Sequence, residues 1–254
     1  MTVSKMGAAR SDAAPRTNEF DQPIGFALPT WTPPQAPPKK VLQGHYCRVE
    51  PLDIASHLED LYAAISLDKE GRSWTYLTYG PFSSIEDYRQ WITATCLGDD
   101  PMFFAIVDKQ SQKSVGVASL LNIDPASGSI EVGHIHYSLL LQRTPAATEA
   151  MYLLMQQAFE LGYRRYEWKC DSLNAASKGA AQRLGLSYEG IFRQAKVYSG
   201  RNRDTAWFAA IDAEWPALRR AFATWLAPNN FDAEGQQRAK LSDLTRPILV
   251  QRST

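Results

Sequence analysis

At 254 residues, with 27 Lys and Arg balanced by 27 Asp and Glu, the chain carries a formal net charge of zero. That length holds one large domain, or one ordinary domain with extensions, and the balance excludes a protein whose affinity comes from a polyanion field, such as a general nucleic-acid binder. Cys47, Cys96 and Cys170 lack paired spacing, and no apolar run reaches signal-peptide or membrane-spanning length, so a cytoplasmic protein with buried thiols and no membrane partner is expected.

Residues 1 to about 18, rich in Ala, Ser, Arg and Thr without periodicity, are expected to be disordered. Between Gln22 and Lys40, Pro23, Pro29, Pro33, Pro34, Pro37 and Pro38 punctuate Phe26, Leu28 and Trp31. Repeated proline excludes regular helix and favours an extended strap lying against a domain. Residues 1–44 therefore read as an extension, 45–213 as the domain, and 214–254 as a C-terminal helix followed by a polar tail.

His45–Glu50 predicts a first strand. Ile54, Leu58, Leu61 and Ile65 then repeat at steps of four, three and four, an amphipathic helix. An aromatic stretch, Trp74 to Phe82, ends in turn chemistry. Ser84 with Asp87 resembles a capping box for a second helix carrying Ile85, Tyr88 and Trp91. Met102–Val107 and Ser114–Leu121 are β-rich runs joined by a polar turn, a predicted hairpin. After a second turn at 124–128 comes a strand over Glu131–Ser138. Strict alternation along it puts Glu131, Gly133, Ile135 and Tyr137 on one face and Val132, His134, His136 and Ser138 on the other.

A tight turn at 142–145 then feeds a helix from near Ala146, with Ala147, Met151, Leu154, Met155, Ala158 and Leu161 on one face. Pro145 suits its first turn and Gly162 its left-handed exit. A strand, a short loop and a helix start gather unpaired N–H groups at the positive end of a helix dipole, which favours phosphate. Tyr163–Cys170 alternates as a strand that can lie parallel to Glu131–Ser138 through a right-handed crossover. Asp171–Asn174 opens a helix stopped by Gly185. Strands over Ser187–Arg193 and Thr205–Ile211 follow, and then a helix through Leu218, Phe222 and Trp225.

Two of these segments carry a family resemblance. Gln142, Ala147, Thr148, Glu149 and Ala150 match the acetyl-CoA-binding motif of the GNAT N-acetyltransferases, in particular the branch that acetylates ribosomal-protein N-termini. The two glycines of that motif are replaced by Arg143 and Pro145. Asn174, Ser177, Leu184-Gly185-Leu186 and Glu189-Gly190 match the family's second motif. The resemblance implies a mixed α/β fold: a mostly antiparallel sheet with one splayed parallel pair, flanked by helices. It also implies acetyl-CoA as co-substrate, a primary amine as acceptor (a protein N-terminus or a small molecule), and a monomer or homodimer. Its cofactor-binding residues would be Tyr137, Ser138 and Leu139 through their backbone, then Gln142, Arg143, Thr144, Ala146, Ala147 and Thr148, with Asn174 on the pantetheine arm. Arg143 would supply a charge-assisted contact in place of glycine amides.

For chemistry, Ser177 would protonate the departing thiolate, since the position seven residues after Asn174 is Ala181 rather than the tyrosine many relatives use. His134 or His136, titrating near neutrality, or Glu131 would take the amine proton. Tyr198 and Asp204 would line the acceptor side, as would Trp74, Tyr76 and Tyr79. Metal-ligand spacing, nucleophile motifs and Gly-x-Gly-x-x-Gly are absent from the sequence. A non-catalytic CoA-binding scaffold is the alternative, motivated by the lost glycines and tyrosine.

Overall fold

The computed structural model describes residues 16–253. The strands among them are β1 (Arg16–Thr17), β2 (Pro23–Ile24), β3 (Leu42–Gln43), β4 (Cys47–Pro51), β5 (Met102–Asp108), β6 (Ser114–Asp124), β7 (Ser129–Tyr137), β8 (Arg165–Asp171), β9 (Ser187–Tyr198) and β10 (Arg201–Ile211). The α-helices are α1 (Ile54–Ile65), α2 (Ile85–Thr95), α3 (Pro145–Glu160), α4 (Ala175–Arg183), α5 (Trp215–Leu226) and α6 (Leu241–Thr245). Strands β3 to β10 form one mixed sheet in the order β3-β4-β5-β6-β7-β8-β10-β9, antiparallel except for β7 against β8. Helices cover both faces, as the resemblance implies.

Helix starts are set locally. Asp53, Ser84, Thr144 and Asn174 each accept the N–H three residues on, satisfying a donor that has no intrahelical partner. Helices α1 and α2 bury Leu58, Leu61, Ile65, Tyr88 and Ile92 against Phe103 and Val117 on one face of the sheet. On the other face α3 is buried nearly all round, between Phe104, Ile130 and Val132 of the sheet and Phe222 of α5. Trp215 stacks on Phe159 at 5.1 Å.

Glu149 of α3 has a structural role that its motif position did not suggest. Its buried carboxylate accepts the backbone N–H groups of His45 (2.7 Å), Tyr46 (2.6 Å) and Cys47 (2.8 Å), fixing the chain as it enters β4. Gly44 lies so close that a Cβ there would sit 2.2 Å from Glu149 Oε2.

The expected disorder of residues 1–18 lies outside the described residues except at its end, where Arg16–Thr17 pairs with Pro23–Ile24. The proline segment is extended, buries Pro34 and Pro37, and accepts from Gln157 Nε2 at the Pro38 carbonyl (3.3 Å). The stretch after α5, expected as a polar tail, packs in part against the domain. Asn230 is buried and clamps Trp225 and Ala239, while Leu241 and Thr245 of α6 are fully buried. The closing hairpin also runs further than periodicity suggests, because β9 and β10 extend to either side of Ser199-Gly200. No helix among the described residues is long and apolar enough to cross a membrane.

Candidate active site

Strands β7 and β8 pair only from Ser129↔Arg165 to Val132↔Trp168. Beyond that point they part, and a cleft of about 1530 Å³ opens between Gly133–Tyr137 on one side and Lys169–Asp171 on the other. The parting coincides with a β-bulge. Between Gly133 and His136 the strand β7 takes three steps while β6 takes two, from Ser119 to Val117, and His134 sits at φ +48°. An extra residue bends a strand and re-aims its side chains.

The bulge overturns the strict alternation expected for this strand. Ile130 and Val132 face α3, but beyond the bulge Ile135 and Tyr137 do so. Glu131, His134 and His136 therefore share the opposite face: His134 lies against Tyr79 and Phe103, and His136 against Trp74. All three line the cleft.

On the α3 side the loop 138–144 folds onto itself. Leu141 and Gln142 donate to the Ser138 carbonyl, Thr144 N–H to Leu141, and Gln142 Nε2 to the Tyr137 carbonyl (2.9 Å). Arg143 stands at φ +63°, the left-handed backbone that glycine would adopt most cheaply. Thr144 Oγ1 takes the Ala147 N–H, and Pro145 has no N–H, so Ala146 supplies the remaining free first-turn amide. Two expected contributors do not reach the cleft. Ser138 is buried with its N–H spent on the Val115 carbonyl (3.2 Å), and the Ala146 side chain is buried under the helix. By alternation the Tyr137 and Ile135 backbones face the parted side instead. Tyr137, Leu139, Gln142, Arg143, Thr144, Ala147 and Thr148 do line it, as do Asn174 and Ser177 at the start of α4.

Arg183, at the end of α4, is the residue that motif reading missed. Its guanidinium lies 4.9 Å over the Trp225 ring and donates to Thr148 Oγ1 (3.0 Å) in the first turns of α3. Burial pulls it below the ordinary arginine pKa, and no carboxylate pairs with it among the described residues. A sheltered, unpaired cation beside a helix N-terminus is built for an anion. Phe231 and Gln237, from the segment after α5, line the same end.

Ser177 Oγ accepts from Trp168 Nε1 (2.9 Å), so its hydroxyl acts as a donor, within hydrogen-bond reach of the Cys170 sulfur. Glu131 is buried, with Oε2 bound to Lys169 Nζ (2.8 Å) and Asn122 Nδ2 (2.7 Å). These two contacts brace its side chain between β6 and β8. His134 Nδ1 lies 3.2 Å from Tyr79 OH, and burial, then the nearby Lys196 charge, lower its pKa below 6.5. Tyr76 OH donates to the Leu173 carbonyl (3.2 Å) and Arg201 Nη2 to that of Thr75 (2.8 Å), tying the aromatic loop to the segment after β8 and to β10. Of the other residues expected there, Tyr79 lines the cleft but Trp74 is buried in the core behind it. Tyr198 and Asp204 do not line it. Tyr198 OH donates to Asp171 Oδ2 (2.8 Å), and Asp204 accepts from Gln194 N–H (2.7 Å).

His136 is buried at the edge of the cleft, stacked on Trp74 at 3.7 Å, with Nε2 2.9 Å from Ser73 Oγ. Burial lowers its pKa to about 4. The unfolded chain therefore binds a proton below about 6.5 that the folded chain refuses until about 4, so stability falls as pH drops through that window. We expect a loss of roughly 3 kcal/mol from this group. Urea unfolding at pH 7 and pH 4.5 checks it: His136→Gln should flatten the wild-type decline, and parallel declines would exclude the assignment.

Comparison with known proteins places these features. Residues 48–187 match the acetyltransferase (GNAT) domain model. A GCN5-related N-acetyltransferase from Brucella melitensis is 47% identical, with 86% of this chain covering 100% of that one at a TM-score of 0.84. A probable GNAT-family acetyltransferase from Chromobacterium violaceum is 39% identical over 77% of this chain and 98% of its own, TM-score 0.72. A putative ribosomal-protein-serine acetyltransferase from Vibrio cholerae shares the fold at 22% identity, covering 71% of this chain and 99% of its own, TM-score 0.59. None of the curated proteins matches the chain. With its domain matched from β4 to the start of β9 and a relative near half identical over most of its length, the chain belongs to the GNAT acetyltransferase family, whose members use acetyl-CoA.

Proposed function

We propose that the protein acetylates a primary amine held on the aromatic side of the cleft, with acetyl-CoA entering between β7 and β8. The observation that carries this is the parting of β7 from β8 beside an unpaired Arg183 and the start of α3, a slot with an anion site at one end. The fit is chemical as well as spatial: Arg143 and Arg183 answer a diphosphate, and Asn174 and Ser177 stand along the wall.

The bound thioester supplies an activated acetyl carbonyl. Tyr137 and Ile135 offer backbone N–H groups toward the parted side, where the carbonyl oxygen gains charge. His134 accepts a proton from the amine as it forms the new C–N bond. Its lowered pKa keeps the imidazole neutral, and so able to act, at physiological pH. Ser177 donates a hydrogen bond to the sulfur as the C–S bond breaks, and Trp168 holds its oxygen in place. The proton taken up by His134 leaves to solvent, from which the departing thiolate is protonated.

Calorimetry with acetyl-CoA, followed by thiol release against an amine panel, tests the reading. Binding without turnover on any amine would favour a scaffold, and failure to bind would remove both readings. Within the active enzyme, kcat/KM should fall on the acid side with a pKa below 6.5. His134→Gln should lower kcat by about 10²–10⁴-fold and abolish that limb. An unchanged limb would assign the proton to another group.

A further inference from the structure

The hairpin β9–β10 contributes two cations to the acceptor half of the cleft, Lys196 and Arg203. They are register partners, directly opposite each other across the antiparallel pair. Like charges in that relation oppose folding, so an ordinary surface would place a carboxylate between them.

None is there. Arg203 Nε donates only to the Thr205 hydroxyl (3.2 Å), and neither cation has an ion pair among the described residues. The nearby carboxylates are already committed. Asp171 accepts from Tyr198 OH and Leu173 N–H, Glu131 is bound to Lys169, and Asp68 accepts from Ser73 N–H and Oγ. Asp204, adjacent in sequence, is turned to Gln194 and Asn202.

The placement is constructed. From Phe192 to Lys196 strand β9 takes four steps while β10 takes two, from Thr205 to Arg203, and Gln194 at φ +50° marks the bulge that Asp204 pins. Without that irregularity Lys196 would not stand opposite Arg203 at the mouth of the cleft. The Lys196 charge is near enough to His134 to add to the fall in its pKa, which ties the cation pair to the proposed base.

We infer that the acceptor amine carries an anionic group, a carboxylate or a phosphate, which Lys196 and Arg203 grip from opposite strands while the amine points toward His134. This rests on the acetyl-transfer reading given above.

Matched acceptors test it. Thiol release is measured with tyramine against tyrosine, and with ethanolamine against phosphoethanolamine. Wild type, Lys196→Gln and Arg203→Gln are compared, and acetyl-CoA affinity is followed by calorimetry in each. The anionic member of at least one pair should show kcat/KM about tenfold or more above its neutral partner, in line with a charge-assisted contact. Whichever pair shows the preference distinguishes carboxylate from phosphate. Each substitution should shrink that ratio, and added salt should shrink it in wild type. Because the pair opposes folding, Lys196→Gln should melt at the same temperature as wild type or higher, which separates this role from a structural one. Equal use of neutral and anionic members, or a ratio untouched by both substitutions, overturns the inference while leaving acetyl transfer standing. Turnover of other amines but of no member of either pair overturns the inference alone, and loss of acetyl-CoA binding in the wild type overturns both.

Discussion

Glu149→Ala should lower the unfolding free energy by roughly 2–5 kcal/mol, because three N–H groups lose their acceptor at once. The buried one of Cys47 costs about 1–3 kcal/mol when left unpaired, and the part-buried ones of His45 and Tyr46 less each. The carboxylate joins α3 to the segment entering β4, about a hundred residues upstream, at 2.6–2.8 Å to His45, Tyr46 and Cys47. Cys47 and Val49 of β4 are fully buried, so a loosened entry exposes core and does not merely fray an end. Gly44→Ala approaches the same contact from the other side, with its new Cβ 2.2 Å from Glu149 Oε2. Either the carboxylate or the chain must move, and a smaller loss of about 1–3 kcal/mol is expected, as for overpacking. Urea denaturation of both variants reads these losses. A Glu149→Ala cost under 1 kcal/mol would show that water or another acceptor replaces the carboxylate.

Arg183→Ala should raise the dissociation constant for acetyl-CoA by about 10–100-fold, the range set by losing one or two charge-assisted hydrogen bonds at about 1.5–3 kcal/mol. The argument is one of charge. Arg183 is sheltered by Trp225 and held by Thr148, and it has no carboxylate partner among the described residues. Such a cation is costly in the free protein and is relieved by a bound anion. The salt dependence of binding should weaken in the variant. Arg183→Lys should rescue only part of the affinity, since an ammonium does not stack on Trp225 as a planar guanidinium does. Calorimetry measures all three. Unchanged affinity in Arg183→Ala would mean that Arg143 and the amides of the loop suffice.

Much of this architecture was legible beforehand, for identifiable reasons. The steps of Ile54, Leu58, Leu61 and Ile65, the Ser84 and Asn174 caps, and the apolar face of α3 are local patterns, and the structure places helices on each of them. The crossover from β7 to β8 follows from an intervening helix, and their pairing is parallel. What failed was strict alternation across His134. The left-handed residue of the bulge is His134 rather than a glycine or asparagine, and Gly133 beside it was the one local sign of a break in the strand. The error separated Glu131 from His134 and His136, which in fact share a face. The roles of Glu149 and Arg183 were hidden for another reason. One carboxylate answers amides far upstream, and one helix-terminal arginine is sheltered by a tryptophan from α5. Neither partnership leaves a local pattern to read.

The account stands on the slot where β7 leaves β8, and a structure of the protein with CoA bound is its most direct test. We expect the diphosphate beside Arg183 and the first turn of α3, the pantetheine arm along the backbone at Ile135 and Tyr137, and the sulfur within hydrogen-bond reach of Ser177. CoA lodged elsewhere, or β7 and β8 drawn together past Val132 with the arm excluded, would contradict it.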